Sequence, residues 1–387
     1  MISAKKIRLC MLILVGMLSC VCSWDSEVFP KSVLLVLCSL PCIWAMCDIV
    51  KGKGIEMTFV KWYGAFLLLV LASLLYTVNH IDANDVVRRC ILCFGMGFSA
   101  SQLIKDSSDI QKIMYGVIIG ACLTLVTTLK LESHLIGLGR LGTKTCGAAT
   151  GFAEILFLGL FSVFSLRRKS KIYLFLQLVL FGGILLSGSR MPLVLAILCY
   201  VIIKLMEVGL SKKIFRTIIG MVVLVFCLGY AVMNNPVLYG IVGKRIDSTM
   251  DTVKYGVDKK NDASLEQRSE MKKEAMKLWR SAPVLGHGVN SFCELSPITN
   301  KRASSHCGYT EILCSFGIVG FVLFFRPFVK PLKLLIMRRK SLEAVMLLFL
   351  LIMEWQSSDF AASAYVCFCY VLFCQLRFKQ MEQRQWT

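Results

Sequence analysis

Apolar residues along this chain come in long runs rather than in alternation. From Leu9 to Leu376, stretches of about 17 to 20 apolar residues follow one another with short polar punctuation. Each is long enough to cross a hydrocarbon core of about 30 Å as an α-helix, and far too long for a barrel strand. The pattern predicts twelve helices, at 8–23, 32–50, 62–78, 90–104, 113–129, 152–166, 172–187, 191–208, 217–233, 308–325, 341–355 and 360–376. One long polar stretch, 234–307, interrupts them. Inside it a helical period returns from about Ser264 to Ala282, with Leu265, Met271, Ala275, Met276, Leu278, Trp279 and Ala282 on one arc and Glu266, Glu270, Lys273, Glu274 and Lys277 opposite. Asp262 or Ser264 is placed to cap that helix, with Gln267 completing a capping box. Arg268 falls inside the apolar arc, where a charge must meet a partner or a ligand rather than bulk water; Lys272 lies toward the arc's edge. The expectation is an all-α polytopic membrane protein of about twelve transmembrane helices. Residues 1–387 form a single integral membrane domain, and its large loop 234–307 carries an amphipathic helix and part of the active site.

Composition agrees, since 56% hydrophobic and 18% charged residues with a mean hydropathy of +0.68 do not suit a water-soluble globule of 387 residues. A net charge of +20 would suggest a nucleic-acid partner in a soluble protein, but here Lys and Arg sort by loop and no nucleic acid is expected. Short segments on one side, including both termini and 326–340, hold more than half of the 44 Lys and Arg and are cytoplasmic by the positive-inside rule. The loop 234–307 then lies outside, its twelve basic residues being exempt because long loops escape that rule. Lys5, Lys6 and Arg8 give the first span the look of a signal peptide, but its removal would strip one helix from the bundle, and it is read as retained. Nearly all of the 18 cysteines fall inside spans as small apolar packing residues, and none has the His or carboxylate neighbours of a zinc site. No metal or cofactor is expected. Cys293 and Cys307, in the external loop, either pair in an oxidising compartment or remain thiols.

Charges in a transporter collect at mid-bilayer. Here Glu154, Glu311, Glu354 and Asp359 instead fall near the outer ends of spans, and His80, His134, His287 and His306 all fall in outer loops. That points to a site at the outer leaflet boundary, or to a simple preference of polar residues for water. The turn Ser187-Gly188-Ser189-Arg190-Met191-Pro192 joins two apolar helices and offers hydroxyls, a guanidinium and a helix N-terminus, a combination suited to a phosphate or pyrophosphate. An arginine snorkelling to headgroups is the alternative. In Pro283-Val284-Leu285-Gly286-His287-Gly288, the glycines Gly286 and Gly288 let backbone approach something closely. His306, after Ser304 and Ser305 and just before the tenth span, is placed for proton transfer near neutral pH.

These segments resemble a family, the O-antigen ligases and O-antigen polymerases of bacterial envelopes. The ligases carry a histidine followed by Asn, Ser or Gln, nine residues, a glycine, two residues and a small residue. In HCGYTEILCSFGIVG, His306, Gly317 and Gly320 keep that spacing, while Cys307 departs from it. The turn SGSRMP and the stretch RSEMKKEAMKLWRSAPVLGHGVNSF are similar to the family's Ser-Arg turn and external helix. RLGTKTCGAATGF is loosely similar to an arginine-led loop but lacks Asn-Pro-Asn, so Arg140 is left aside. Together the similar segments span roughly 140–325, and the first four helices carry no such signal.

The resemblance implies a GT-C-like fold and transfer of a glycan from an undecaprenyl-pyrophosphate donor to an acceptor hydroxyl, outside the bacterial cytoplasmic (inner) membrane and without nucleotide sugar, metal or cofactor. His306, Arg190 and Arg268 are the catalytic candidates. Arg190, Ser189, Arg268, Gly286 and Gly288 are the candidates for holding the pyrophosphate. His306 would act as base, or hydrogen-bond a phosphate oxygen instead. The partners implied are the lipid-linked oligosaccharide, an acceptor glycan, membrane lipid and other polysaccharide-assembly proteins. A surface-polysaccharide polymerase is preferred to a ligase, because each polymer gene cluster needs one. The rival from another class, a flippase or permease, predicts two related halves and midplane charges, and neither is seen.

Overall fold

A computed structural model of the chain describes residues 4–385, except 26, 53, 79, 137–138, 167–169, 209–212, 237–238, 244–246, 248–258, 299–303, 337–340 and 358. The principal elements are helices: α1 (Ala4–Val21), α2 (Lys31–Val50), α3 (Met57–Ser73, with a π-turn at Val60–Gly64), α4 (His80–Leu103), α5 (Ser107–Glu132), α6 (Ala149–Ser165), α7 (Lys171–Ser187), α8 (Arg190–Val208), α9 (Lys213–Asn234), α10 (Lys259–Ser281), α11 (Gly308–Phe325), α12 (Leu342–Met353) and α13 (Ser363–Gln385). No strand occurs among the described residues. A helix covers each of the twelve apolar stretches, and α10 covers the amphipathic one. Three segments, Lys31–Val50, Ser107–Leu135 and Gly308–Leu335, are long and apolar enough to cross a membrane by length and composition. Local sequence explains several helix starts. The Ser170 and Ser341 hydroxyls accept from the Ile172 and Ala344 N–H groups at the heads of α7 and α12 (3.4 Å each), and the Glu56 carboxylate accepts from Thr58 N–H ahead of α3.

Backbone packing separates two compact units, Met1–Val117 with Ser264–Thr387, and Ile118–Ala263. In the first, α3 brings Phe59, Tyr63 and Phe66 into a buried aromatic core with Phe316 and Phe324 of α11 and Tyr370 of α13. The polar atoms of its rings are satisfied, Trp62 Nε1 donating to Phe324 O (2.9 Å) and Tyr63 Oη to Phe360 O (2.7 Å). In the second, α6 is buried almost along its whole length from Phe152 to Val163 and packs against α7 and α8.

The feature that matters most for the site is a break in α11. Gly317 sits at φ +60°, ψ −161°, a conformation open essentially to glycine alone, and the helix is interrupted there. Backbone groups freed inside an apolar helix must find other partners, and the segment 283–288 supplies them. His287 N–H donates to Cys314 O (2.9 Å) and Gly288 N–H to Ser315 O (2.8 Å); in return Ile318 N–H donates to Pro283 O (2.9 Å) and Val319 N–H to Val284 O (3.3 Å). The C-terminal end of α3 holds the same segment from another side, through Tyr76 Oη to Leu285 O (3.0 Å), Thr77 Oγ1 to Val289 O (2.7 Å) and Val289 N–H to Ser73 Oγ (3.1 Å).

Candidate functional site

In the first unit, α10 presents its apolar arc to α11. Met271 and Ala275 are buried together with Phe292 and Cys314, and Leu278 packs against them. The helix starts at Lys259, five residues before the expected Ser264, so the backbone of Asp262 and Ser264 lies inside it. Continuation through Lys259–Ala263 carries no apolar signal and was invisible to periodicity. Arg268 and Lys272, one turn apart on the packed side, are both half-buried. Lys272 Nζ donates to Trp355 O (2.7 Å) and lies 4.6 Å from the centre of the same indole, a cation–π contact.

His306 occupies the approach to α11 with φ +51°, the left-handed region that few side chains adopt. Its neighbours explain how the chain holds it there. Ser305 N–H donates to Glu311 Oε2 (2.7 Å), Thr310 Oγ1 donates to Ser305 Oγ (3.0 Å), and Gly308 N–H bonds both Glu354 O and Ser357 O (2.7 Å each). A Cβ at Gly308 would fall on the carboxylate of Glu354, so a larger residue there would displace that side chain. Glu354 is fully buried (0% exposed), and its Oε1 has no hydrogen-bond partner among the described residues. Glu311, Glu354 and Asp359, expected at outer span ends, thus gather around one helix N-terminus, where Asp359 N–H approaches Glu354 Oε2 (3.4 Å).

Burial holds the His306 imidazole below its ordinary value of 6.5, and the charges of Arg268 and Lys272 push it the same way. A neutral ring able to accept a proton at neutral pH, flanked by two cations, is therefore what the α10–α11 junction creates. Burial lowers Lys272 below its ordinary value, and repulsion from Arg268 acts in the same direction. Sequence reasoning placed Lys272 only at the edge of the arc and left it out of the site; its i, i+4 relation to Arg268 was the signal available.

The second unit holds Arg190. Helix α7 ends at Ser187, Gly188 caps it at φ +63°, and α8 starts at Arg190. The turn's own groups are largely spent: Ser187 Oγ donates to Ile184 O (2.6 Å), Gly188 N–H to Leu185 O (3.1 Å) and Ser189 N–H to Ser187 Oγ (3.1 Å). Ser189 is 2% exposed, and its hydroxyl accepts from Arg140 Nη2 (3.1 Å), while Arg140 Nε reaches Ser187 O (3.5 Å). Ser189 thus places a second guanidinium, that of Arg140, beside the turn. Arg140 was set aside for want of Asn-Pro-Asn, and nothing local marks it; the cause lies at Glu132. That buried carboxylate accepts from the N–H groups of Gly142, Thr143, Lys144 and Thr145 (2.8–3.1 Å) and from both threonine hydroxyls, fixing the loop that begins at Arg140.

Gly286 and Gly288 permit a close approach to the protein's own backbone. A Cβ on Gly286 would lie 2.5 Å from Ser315 C, and one on Gly288 would lie 2.6 Å from Thr77 Cα. Their N–H groups donate to Ala282 O and Ser315 O. His287, tied through Nε2 to Leu278 O (2.9 Å) and Ser281 Oγ (3.0 Å), locks the same segment to α10. Cys293 and Cys307 are both buried, and no disulfide joins them to each other or links any other described cysteines. No group of metal-ligating side chains occurs among the described residues.

An all-helical membrane protein, with a neutral histidine and two cations where a docked loop meets a broken helix, is the class the fold and site define. Residues 173–325 match the family model of the O-antigen ligases, and over that segment the chain is similar to the superfamily of O-antigen ligases and polymerases. The matched segment contains Arg190, Arg268 and His306 and excludes Arg140. No curated protein matches the chain.

Proposed function

We propose that this protein is a glycosyltransferase of the bacterial cytoplasmic membrane that moves an oligosaccharide from undecaprenyl pyrophosphate to an acceptor sugar hydroxyl. The observation that carries the reading is the family match over 173–325, which takes in all three catalytic candidates. In this reading the twelve apolar helices cross the membrane, both termini are cytoplasmic, and 234–307 faces outward. Neutral His306 takes the proton of the attacking hydroxyl, and the anomeric carbon inverts in a single displacement. Arg268 and Lys272 offset the charge that develops on the departing lipid pyrophosphate. Arg190 is required for transfer on the strength of the resemblance, and Arg140 holds the turn that carries it. Repeated addition, a polymerase, is preferred to a single transfer onto a lipid A core or another acceptor. The reaction needs neither nucleotide sugar nor metal.

The test is reconstitution of the purified full chain with a synthetic undecaprenyl-pyrophosphate oligosaccharide. A ladder of lengthened lipid-linked products identifies a polymerase, and one product on an added acceptor identifies a ligase. Donor left intact with every acceptor offered, including a second donor molecule, would count against transferase activity of either kind.

A further inference from the structure

Away from His306 and Arg268, the first unit forms a half-open cavity of about 520 Å³. Its walls come from the head of α3, the segment from Leu323 to Leu334, and the C-terminal half of α13. Lys61, Arg326, Lys330 and Arg377 line it, and the only acid among the lining residues is Glu56. That acid is already committed: Glu56 Oε1 pairs with Arg377 (3.5 Å) and accepts from Thr58 N–H (3.2 Å) and the Thr58 hydroxyl. Lys61, Arg326 and Lys330 make no ion pair among the described residues. The remaining wall is aromatic and fixed. Trp62 is anchored through its indole N–H to Phe324 O and packs edge-on to Phe373 (5.3 Å), while the Gln102 amide and the Glu56 backbone exchange two bonds of 3.1 Å.

Three uncompensated cations beside an aromatic wall select an anion attached to something apolar. Arg326 contributes a planar fork suited to phosphate oxygens, and the lysines contribute point charges. All three cations stand in sequence segments that the positive-inside count assigns to the cytoplasm. Lys330 opens the short helix Val329–Ile336, VKPLKLLI, whose lysines and leucines separate as in helices that lie in the membrane interface. A zwitterionic headgroup is disfavoured, because its ammonium would find the one acid of the cavity taken. Basic pockets between helices on the cytoplasmic side are suited to acidic lipid headgroups. We propose that this cavity binds the phosphate headgroup of an acidic phospholipid from the cytoplasmic leaflet, with Lys61, Arg326 and Lys330 on the phosphate and Trp62 with Phe373 along an acyl chain.

The test uses the full chain in non-ionic detergent, with bound lipid counted by native mass spectrometry as phosphatidylglycerol or phosphatidylcholine is titrated in. Phosphatidylglycerol should bind at least roughly tenfold more tightly, and each cation neutralised should weaken it roughly fivefold, the worth of one basic side chain near an anionic surface. The combined variant Lys61→Gln, Arg326→Gln, Lys330→Gln should therefore bind the two lipids alike. Should that variant misfold, Lys330→Gln alone, at an exposed side chain, still has to show the fivefold loss. Equal affinity of the parent for both lipids, or an unchanged preference in the variants, overturns the proposal. Displacement of phosphatidylglycerol by millimolar inorganic phosphate overturns it too, in favour of a soluble phosphate compound.

Discussion

Replacing Gly317 by alanine tests whether the docked loop sets up the site. The new Cβ would strike Val284 O and lie 2.7 Å from Leu285 N, both backbone atoms that cannot rotate aside. Alanine at φ +60°, ψ −161° costs about 1–3 kcal/mol in strain. The clash falls where Ile318 N–H meets Pro283 O and Val319 N–H meets Val284 O, and each buried group that loses its partner costs about 1–3 kcal/mol more. Even the low end of the combined cost, about 3 kcal/mol, shifts a docking equilibrium roughly 100-fold, since about 1.4 kcal/mol is tenfold. Limited proteolysis of 283–288 reads docking directly and does not depend on the proposed chemistry; cleavage should accelerate in Gly317→Ala. Glycan transfer should fall at least about tenfold, because Arg268 and Lys272 ride on the helix that the loop anchors. Gly182→Ala, where the added methyl meets open space, is the control and should behave as the parent. Parent-like cleavage and parent-like transfer in Gly317→Ala would refute the reasoning.

His306→Ala should abolish transfer while donor binding persists, measured with purified protein and lipid donor. Because burial and the two cations lower His306 below 6.5, its neutral form prevails at pH 7, and transfer should fall only as pH drops below 6.5; Arg268→Gln should move that acid limb upward, and a limb that stays in place contradicts the assignment. Lysine at 190 or at 268 keeps the charge but loses the planar fork, so each variant should lose most transfer at normal membrane levels; full product from both would indicate headgroup snorkelling. Glu132→Gln exchanges one acceptor oxygen for a donor facing N–H groups, which should cost roughly 3 kcal/mol of stability, visible as a lower Tm, and release Arg140 from Ser189. Reporter fusions after Lys260 and after Lys340 should give opposite signals, and equal signals would discard the proposed topology.

Helix positions were readable because apolar runs leave no other way to satisfy backbone in lipid. The arc of α10 was readable for a similar reason, and Arg268 was noticed because it broke that arc. What escaped notice was set by contacts distant in sequence. Nothing near Arg140 announces that Glu132 will gather the four amides from Gly142 to Thr145, and nothing near His306 announces a left-handed backbone held by Glu311 and by the chain around Glu354. Gly286 and Gly288 show the limit most clearly. A glycine reveals that something comes close, but only the packing reveals that the visitor is the protein's own broken helix and the end of α3.

The break at Gly317 also bears on biosynthesis. A span that abandons helical bonding partway cannot rest in lipid alone, because its bare carbonyl and amide groups would face hydrocarbon. The segment that relieves them precedes it in the chain, so a ribosome delivers 283–288 before Gly317 emerges. The partner is thus in hand when the interrupted helix arrives. The unit of membrane insertion is then the loop and helix together, and a chimaera that imported the helix without its own preceding loop would stall at that step even if every catalytic side chain were present.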